Sequence, residues 1–485
     1  MLFNSLGFIL FFLPVVFIIY FLINKTGKYR VAIVWLILAS LFFYSWWNPK
    51  YFILIISSII FNYTVAKIIG SLSNKKTRKT TLIIGIIGNI ALLAYFKYAD
   101  FFIANMNTVF KTNIPLLQLM LPLAISFFTF QQIAYLVDTY REEAKQYNIL
   151  NYLLFITFFP QLIAGPIVNH KDMMPQFASS KNKKINYNNI TSGLFIFIIG
   201  LTKKIAIADT FAVWANDGYQ NYMNLSSVEA WITSFSYTMQ LYFDFSGYCD
   251  MAIGIALLFN IKLPVNFYSP YKSRNIQDFW RTWHATLGWF LTRYLYIPLG
   301  GNRKGEILTY VNIFIIFAVS GLWHGAGWTF VIWGVLHGVV SIICRAWGRL
   351  NVKLPFVLSW FLTFMFVNIA WVYFRAESVT QANVILKKMA MINFSSFENL
   401  FSHPLQFATA KTYSYIWVTL DNPKLVILYL VIFISVSLFM KNSIQMLSEF
   451  KPNFKNILWI QMCFLSVLGT IFFLHKNSEF LYFNF

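Results

Sequence analysis

The sequence predicts an all-α, polytopic integral membrane protein, and three observations carry that reading. Of its 485 residues 58% are hydrophobic and only 11% charged, where a soluble domain carries about a quarter charged residues. Apolar runs of roughly twenty residues recur along the chain, the length a helix needs to cross a bilayer. Basic residues gather in short loops between those runs, as expected of cytoplasmic loops facing anionic lipid. The 38 Lys+Arg against 17 Asp+Glu, a formal charge of +21, therefore belong to a membrane surface and not to nucleic-acid binding. Cys249, Cys344 and Cys463 are isolated in apolar sequence and suit packing, with neither a disulfide framework nor zinc-ligand spacing.

Each element follows in order. The run Leu2 to Ile23 carries no basic n-region or small-residue cleavage site and reads as a retained helix. Lys25, Lys28 and Arg30 behind it predict a cytoplasmic first loop and hence an outside N-terminus. Val31 to Trp47 ends in Trp46-Trp47-Asn48-Pro49, an interfacial belt and turn. Tyr51 to Ile69 returns to the basic cluster Lys75 to Lys79, cytoplasmic by the same rule. In Thr81 to Ala99, Lys97 is expected to snorkel to the headgroups. Leu116 to Val137 holds Pro122, Ser126, Thr129, Gln131 and Gln132, which predict a bent helix whose polar side chains face protein. It exits into a solvated loop of Asp138, Arg141, Glu142, Glu143 and Lys145.

Pro160 and Pro166 within one apolar run predict a broken or re-entrant segment buried in protein, with His170 at its interfacial end. Beyond the loop of Lys181, Lys183 and Lys184 comes Ile190 to Ala208, interrupted by Lys203-Lys204. A run from Val228 contains Gln240, Asp244, Ser246 and Asp250. Intramembrane carboxylates usually find a basic partner or a cavity, and Arg274, Arg281 or Arg293 are the expected partners. Later spans are Ile307–Leu322, Trp328–Ile343, Pro355–Phe374, Lys424–Met440 and Ile457–Leu474. The polar stretch Arg375 to Asn422 is the longest loop, with room for interfacial helices. About eleven to thirteen spans result, with no internal repeat and no separate soluble domain.

Candidate chemistry concentrates between Phe279 and Gly338, where three of the six histidines lie. Imidazole exchanges a proton near neutral pH and is seldom placed in a membrane without a use. Phe279 to Tyr296 mixes Arg281, His284, Thr286 and Arg293 with Trp280, Trp283, Trp289 and Tyr294, which suits an interfacial helix or a short helix bounding a cavity. Gly300-Gly301-Asn302-Arg303-Lys304-Gly305 reads as a tight cationic turn. It lacks the Gly-Lys-Ser/Thr of a P-loop, but on a cytoplasmic face it suits the phosphates of a cytosolic donor. His324 lies among Gly321, Gly325 and Gly327, small residues that let a substrate or a helix reach the imidazole. His324 and His284 are the candidate catalytic residues. His337, thirteen residues past His324, would face nearly the opposite side of an unbroken helix, so a structural use is expected. No pair of histidines has close metal-ligand spacing, and no metal is expected.

Three motifs carry a resemblance: Phe279-Trp-Arg-Thr-Trp-His284, Tyr294-Leu-Tyr-Ile-Pro-Leu-Gly-Gly-Asn-Arg303 and Ser320-Gly-Leu-Trp-His324-Gly-Ala. The chain resembles the membrane-bound O-acyltransferase superfamily, in particular its alginate O-acetylase branch. The likeness extends to Leu121–Arg141, Phe158–Val168, Asp244–Tyr271 and the aromatic end Glu479 to Phe485. It implies one membrane-embedded acyltransferase domain over 1–485, with a catalytic core at about 121–343 and a central funnel. It implies that His324 is the essential histidine and His284 the second characteristic position. Teichoic-acid D-alanyl-transfer relatives share both, but the Tyr296-Ile-Pro-Leu-Gly-Gly-Asn-Arg303 run and the length favour the acetylase branch. The sequence departs from the pattern at Arg281-Thr282, at Ala285-Thr286-Leu287-Gly288 and at Thr292-Arg293-Tyr294.

Chemistry and resemblance together imply acetyl transfer from acetyl-CoA or another cytosolic acetyl thioester, with no bound cofactor. The acceptor chain leads through an extracytoplasmic acetyltransferase partner to a cell-envelope polysaccharide, in a bacterial cytoplasmic membrane. Peptidoglycan is preferred over alginate because a chain rich in Ile, Lys, Asn and Phe suits an AT-rich genome. Arg281, Trp283, Trp323, Asn302, Arg303, Asp244 and Asp250 are candidate substrate- or donor-binding residues. Two other classes stand beside this reading. Intramembrane Asp, Arg and His with broken helices also suit a transporter or flippase, although no paired broken segments occur in corresponding halves. A structural subunit of an envelope complex would tolerate loss of both histidines.

Overall fold

The computed structural model describes residues 1–144, 148–391, 423–474 and 480–481. Among the described residues the regular elements are all helical. Eight are long and apolar enough to cross a membrane: α1 Phe8–Lys25, α2 Lys50–Ser71, α3 Lys75–Phe110, α4 Tyr187–Gln220, α5 Ser227–Leu258, α6 Glu306–His324, α7 Trp328–Trp347 and α8 Phe356–Arg375. Three shorter apolar helices, Tyr29–Ser45, Lys424–Phe439 and Phe454–Thr470, accompany them. The all-α, multi-pass architecture read from hydropathy is thus the observed one. The loop expected to carry interfacial helices begins with an α-helix at Val379–Ala390. Its remainder at 392–422 lies outside the described residues, as do Lys145, Glu479 and the aromatic end at 482–485.

The chain divides into two compact units, Met1–Phe197 with Cys249–Val265, and Ile198–Tyr248 with Asn266–Phe485. In the first unit, phenylalanines from separate segments interlock: Phe8 lies 5.7 Å from Phe43, and Phe12 lies 5.4 Å from Phe159. Such pairs add about 0.5–1.5 kcal/mol each beyond burial. Polar side chains are turned inward. Asn62 and Asn89 exchange amide hydrogen bonds of 3.1 and 2.6 Å between α2 and α3, and Ser58 donates to Gln132 at 3.3 Å. Bonds of this kind contribute roughly 0.6 kcal/mol each within a membrane.

Several local expectations change here. The helix expected over Leu116–Val137 runs Ile125–Tyr140, so Pro122 precedes it and bends nothing. Its polar residues Ser126, Thr129, Gln131 and Gln132 are buried in protein, as anticipated. The proline-containing run is broken, into Ile149–Thr157 and the single turn Phe159–Leu162, and Phe158 to Val168 is buried throughout. His170 is not interfacial: its ring is buried and its Nε2 lies 3.0 Å from Asp138 Oδ2. Lys97 does not snorkel outward either, since its Nζ lies 3.4 Å from Ser126 Oγ.

The second unit is built on a buried ion cluster and an aromatic core. Lys204 sits in a π-helical turn of α4, Lys203–Ala208, and its Nζ lies 2.6 Å from Asp244 and 2.8 Å from Asp209. The expected arginine partners of Asp244 are engaged elsewhere. Arg281 pairs with Asp278, Arg293 lies over Trp289 and Tyr294, and Arg274 over Phe356. The lysine wins because α4 and α5 approach closely at glycines: a Cβ on Gly247 would stand 2.8 Å from the Gly200 carbonyl oxygen.

Candidate active site

Two chain reversals position the histidines, both within the second unit. The first lies between the short helices Ile276–Thr282 and Ala285–Leu291. Asn275 caps the former by accepting from Asp278 N at 2.8 Å, and the helix stops at Trp283, whose backbone is extended. His284 then adopts φ +46° and ψ +47°, a left-handed conformation that costs a non-glycine residue about 1–2 kcal/mol. Asn266 holds it there. The Asn266 main-chain oxygen accepts from Ala285 N at 3.0 Å. Its Oδ1 accepts from Thr286 N at 3.2 Å and Thr286 Oγ1 at 3.0 Å, and lies 3.1 Å from His284 Nδ1.

The second reversal joins α6 to α7. His324 is the last residue of α6, and Gly325 is extended. The two helices then cross at glycines: a Cβ on Gly334 would stand 3.2 Å from the Cα of Gly321. The glycines around His324 thus admit a neighbouring helix, while the Phe330 ring fills the space beside Gly325. Because the helix breaks here, the angular argument made for His337 does not apply. Trp333 lies 5.1 Å from His324 and 4.8 Å from His337, so both histidines pack on one indole. His337 is wholly buried and accepts from Trp280 Nε1 at 3.2 Å.

The rings of His284 and His324 lie 6.5 Å apart, with Trp323 6.1 Å from the first and 4.9 Å from the second. Phe245 flanks His284 at 4.9 Å. Trp323, Trp333 and Phe374 stand around His324 at 4.9, 5.1 and 5.1 Å. An aromatic enclosure attracts a cation through the ring quadrupoles, and the carbonyl end of α6 does so through its dipole. His284, which lies on none of the eight long helices, is pushed by burial down to about 3, opposed only by a hydrogen bond to its own backbone. It is neutral at physiological pH.

The other candidate residues scatter. Trp323 is part of the site. Trp283 packs instead against Phe267, Phe279 and Trp371 at 5.0, 5.6 and 5.1 Å. Arg281, Asn302 and Arg303 are exposed, the latter two in a turn whose Gly301 oxygen accepts from Asn312 Nδ2 at 2.9 Å. Asp244 belongs to the Lys204 cluster and also accepts from Leu481 N at 3.1 Å. Asp250 is buried and belongs to the first unit. Among the described residues no group of three or more His, Cys, Asp or Glu could hold a metal ion. Sequence reasoning missed Asn266 and the enclosing Trp333 and Phe374. A lone amide seventeen residues before the Trp283-His284 pair gives no periodic signal, and aromatic residues are too common in this chain to single out.

Comparison with known proteins gives a consistent result. Residues 41–386 match the family described as MBOAT, membrane-bound O-acyltransferase family. The chain is 46% identical to a peptidoglycan O-acetyltransferase of Helicobacter pylori, over 100% of this chain and 98% of that protein. It is 38% identical to a protein of Pseudomonas aeruginosa named as a probable alginate O-acetylase, covering 82% of this chain and 76% of the relative. A teichoic acid D-alanyltransferase of Bacillus subtilis is 26% identical over 53% of this chain and 69% of its own length.

Proposed function

The chain belongs to the membrane-bound O-acyltransferase family and is an O-acyltransferase, and from that premise we propose that it O-acetylates peptidoglycan, drawing acetyl groups from a cytosolic acetyl thioester. An O-acyltransferase takes the place of the transporter and scaffold readings. The observation that carries the polymer is the 46% identity, along the whole chain, to a peptidoglycan O-acetyltransferase. The alginate relatives cover less of the chain at lower identity.

In the proposed mechanism a thioester such as acetyl-CoA enters from the cytoplasm, already activated, and the site supplies a base, orientation and exclusion of water. His324 takes the proton of the acceptor hydroxyl as its oxygen bonds to the acetyl carbonyl carbon. The carbon–sulfur bond then breaks, and the thiolate leaves with the proton returned by His324. The aromatic rings and the helix end stabilise the transient imidazolium. His284, neutral, orients the acceptor or steadies the charge growing on the carbonyl oxygen. The immediate acceptor is an extracytoplasmic partner that passes the group to the polysaccharide, and the N-terminus faces that side of the cytoplasmic membrane. Arg303 and Asn302, exposed in their cationic turn, suit the phosphates of a coenzyme A donor.

The test is the O-acetyl content of peptidoglycan, released by mild base, in cells carrying His324→Ala at normal membrane levels of the protein. Acetyl content should fall to that of the deletion strain. Retained acetylation would overturn the role of His324, and an unchanged acetyl content in the deletion strain would overturn peptidoglycan as the polymer.

A further inference from the structure

We propose that Asn266 is a positioning residue that sets the tautomer of His284, holding the imidazole proton on Nδ1 so that Nε2 presents its lone pair to the reacting groups. The proposal rests on the reading of His284 as a participant in acyl transfer, and deepens it.

The argument begins with which end of the Asn266 amide faces Thr286. A backbone N–H can only donate, so the Asn266 atom 3.2 Å from Thr286 N is the carbonyl oxygen. A carbonyl oxygen can only accept, and the same atom lies 3.1 Å from His284 Nδ1. The proton is therefore on Nδ1. A neutral imidazole has one N–H, and burial keeps this one neutral, so Nε2 is the unprotonated nitrogen.

The grip is double. Asn266 holds the side chain of His284 through its own side chain, and holds residue 285 through its main-chain oxygen. The left-handed backbone of His284 is thereby coupled to the orientation of its ring. Asn266 and His284 are both 1% exposed, and with little water to compete, the alternative tautomer would set the Nδ1 lone pair against the carbonyl oxygen. A neutral amide suits this purpose. It fixes the proton without supplying the negative charge that would raise the pH at which His284 becomes an imidazolium.

The roles of the two rings follow. His324, enclosed by aromatic rings at a helix end, is equipped to become a cation, whereas His284 is equipped to stay neutral with one defined acceptor nitrogen. That nitrogen can accept from the hydroxyl of the incoming acceptor and aim its oxygen at the acyl carbon, leaving the proton for His324.

The test uses the full chain in lipid nanodiscs with histidines labelled by ¹⁵N in the ring, His284 being assigned by difference from His284→Gln. The wild type should show a protonated Nδ1 and an unprotonated Nε2 for His284, and Asn266→Ala should show a mixture or the reverse. Thiol release from acetyl-CoA by membrane vesicles gives the second readout. Asn266→Ala should lower kcat at least about tenfold per folded molecule with KM for acetyl-CoA unchanged, the scale expected on losing a partner that orients a histidine. Asn266→Asp keeps an acceptor for Nδ1–H and should recover turnover, with the acid limb of its pH profile moved to higher pH by the carboxylate. A purely structural asparagine would change the amount of folded protein and leave turnover per molecule, tautomer and pH profile alone, which would overturn the proposal. If Asn266→Ala does not fold, Asn266→Asp decides, an unmoved limb counting against it. Wild-type turnover in His284→Gln would overturn the participation of His284 itself, while the ring spectrum would still report whether Asn266 sets the tautomer.

Discussion

Replacing Lys204 should damage this protein far more than replacing either of its carboxylate partners. Lys204 Nζ lies 2.6 Å from Asp244 and 2.8 Å from Asp209, with Lys204 and Asp244 side chains 4% and 1% exposed. At an effective dielectric of about 20 each contact represents a gross attraction of about 6 kcal/mol, most of it offset by the desolvation of the ions. Lys204→Met removes the cation that bridges buried Asp244 and partly exposed Asp209, which should cost about 3–5 kcal/mol. Asp244→Asn is milder: the lysine keeps Asp209, and the single amide oxygen can replace either Oδ1 toward Lys204 or Oδ2 toward Leu481 N but not both, so about 1–3 kcal/mol is expected. The double replacement Lys204→Met with Asp244→Asn removes one cation and one anion, and should recover part of the loss. Retention of the folded size-exclusion peak after heating in detergent measures all three. At about 2–4 °C per kcal/mol, Lys204→Met should lower the midpoint by about 6–20 °C. Equal midpoints for Lys204→Met and Asp244→Asn, or a double variant no more stable than Lys204→Met, would refute the view that the lysine is the hub.

Two further outcomes use the same assay. Gly334→Ala puts a methyl group 2.5 Å from the Phe317 carbonyl oxygen, an overpacking that should cost about 1–3 kcal/mol and separate α6 from α7 beside His324. An unchanged midpoint would mean that the crossing is looser than described. His337→Phe leaves the Trp280 N–H without its acceptor and should cost about 1–3 kcal/mol, with acetylation per folded molecule close to that of the wild type. Loss of acetylation at a normal level of folded protein would make His337 part of the chemistry.

What was legible in the sequence was whatever repeats or stands out against an apolar background. Hydropathy located α2 and α6 to α8 to within a few residues, and α1 except for its start, which comes at Phe8 and not Leu2, because a spanning helix must satisfy its whole backbone and so needs an unbroken apolar run. His284 and His324 stood out because a titratable ring is conspicuous in such surroundings. Partner choice was not legible. Asp244 pairs with Lys204, forty residues earlier in sequence, and nothing in the spacing distinguishes that lysine from the arginines at 274, 281 and 293. Pro122 misled for a related reason: it marks the approach to the helix at Ile125, where proline is as well tolerated as at a kink.

The deeper difference lies in how the two histidines are made. A helix end and an aromatic enclosure could be sought from the Ser320–Trp328 pattern, since the glycines announce where α6 must stop. The left-handed backbone at His284 could not, because no glycine or asparagine marks it and the residue that holds it, Asn266, lies on another segment. Strain of this kind survives only where surrounding contacts over-determine it, and here three hydrogen-bonding groups of residues 284–286 converge on the Asn266 side chain. A turn that served only to change direction would be met more cheaply by a glycine. Placing a histidine there instead couples the backbone reversal to the orientation of a ring, 6.5 Å from the ring of His324. Function, on this argument, is the reason the sequence violates its own local preference at position 284.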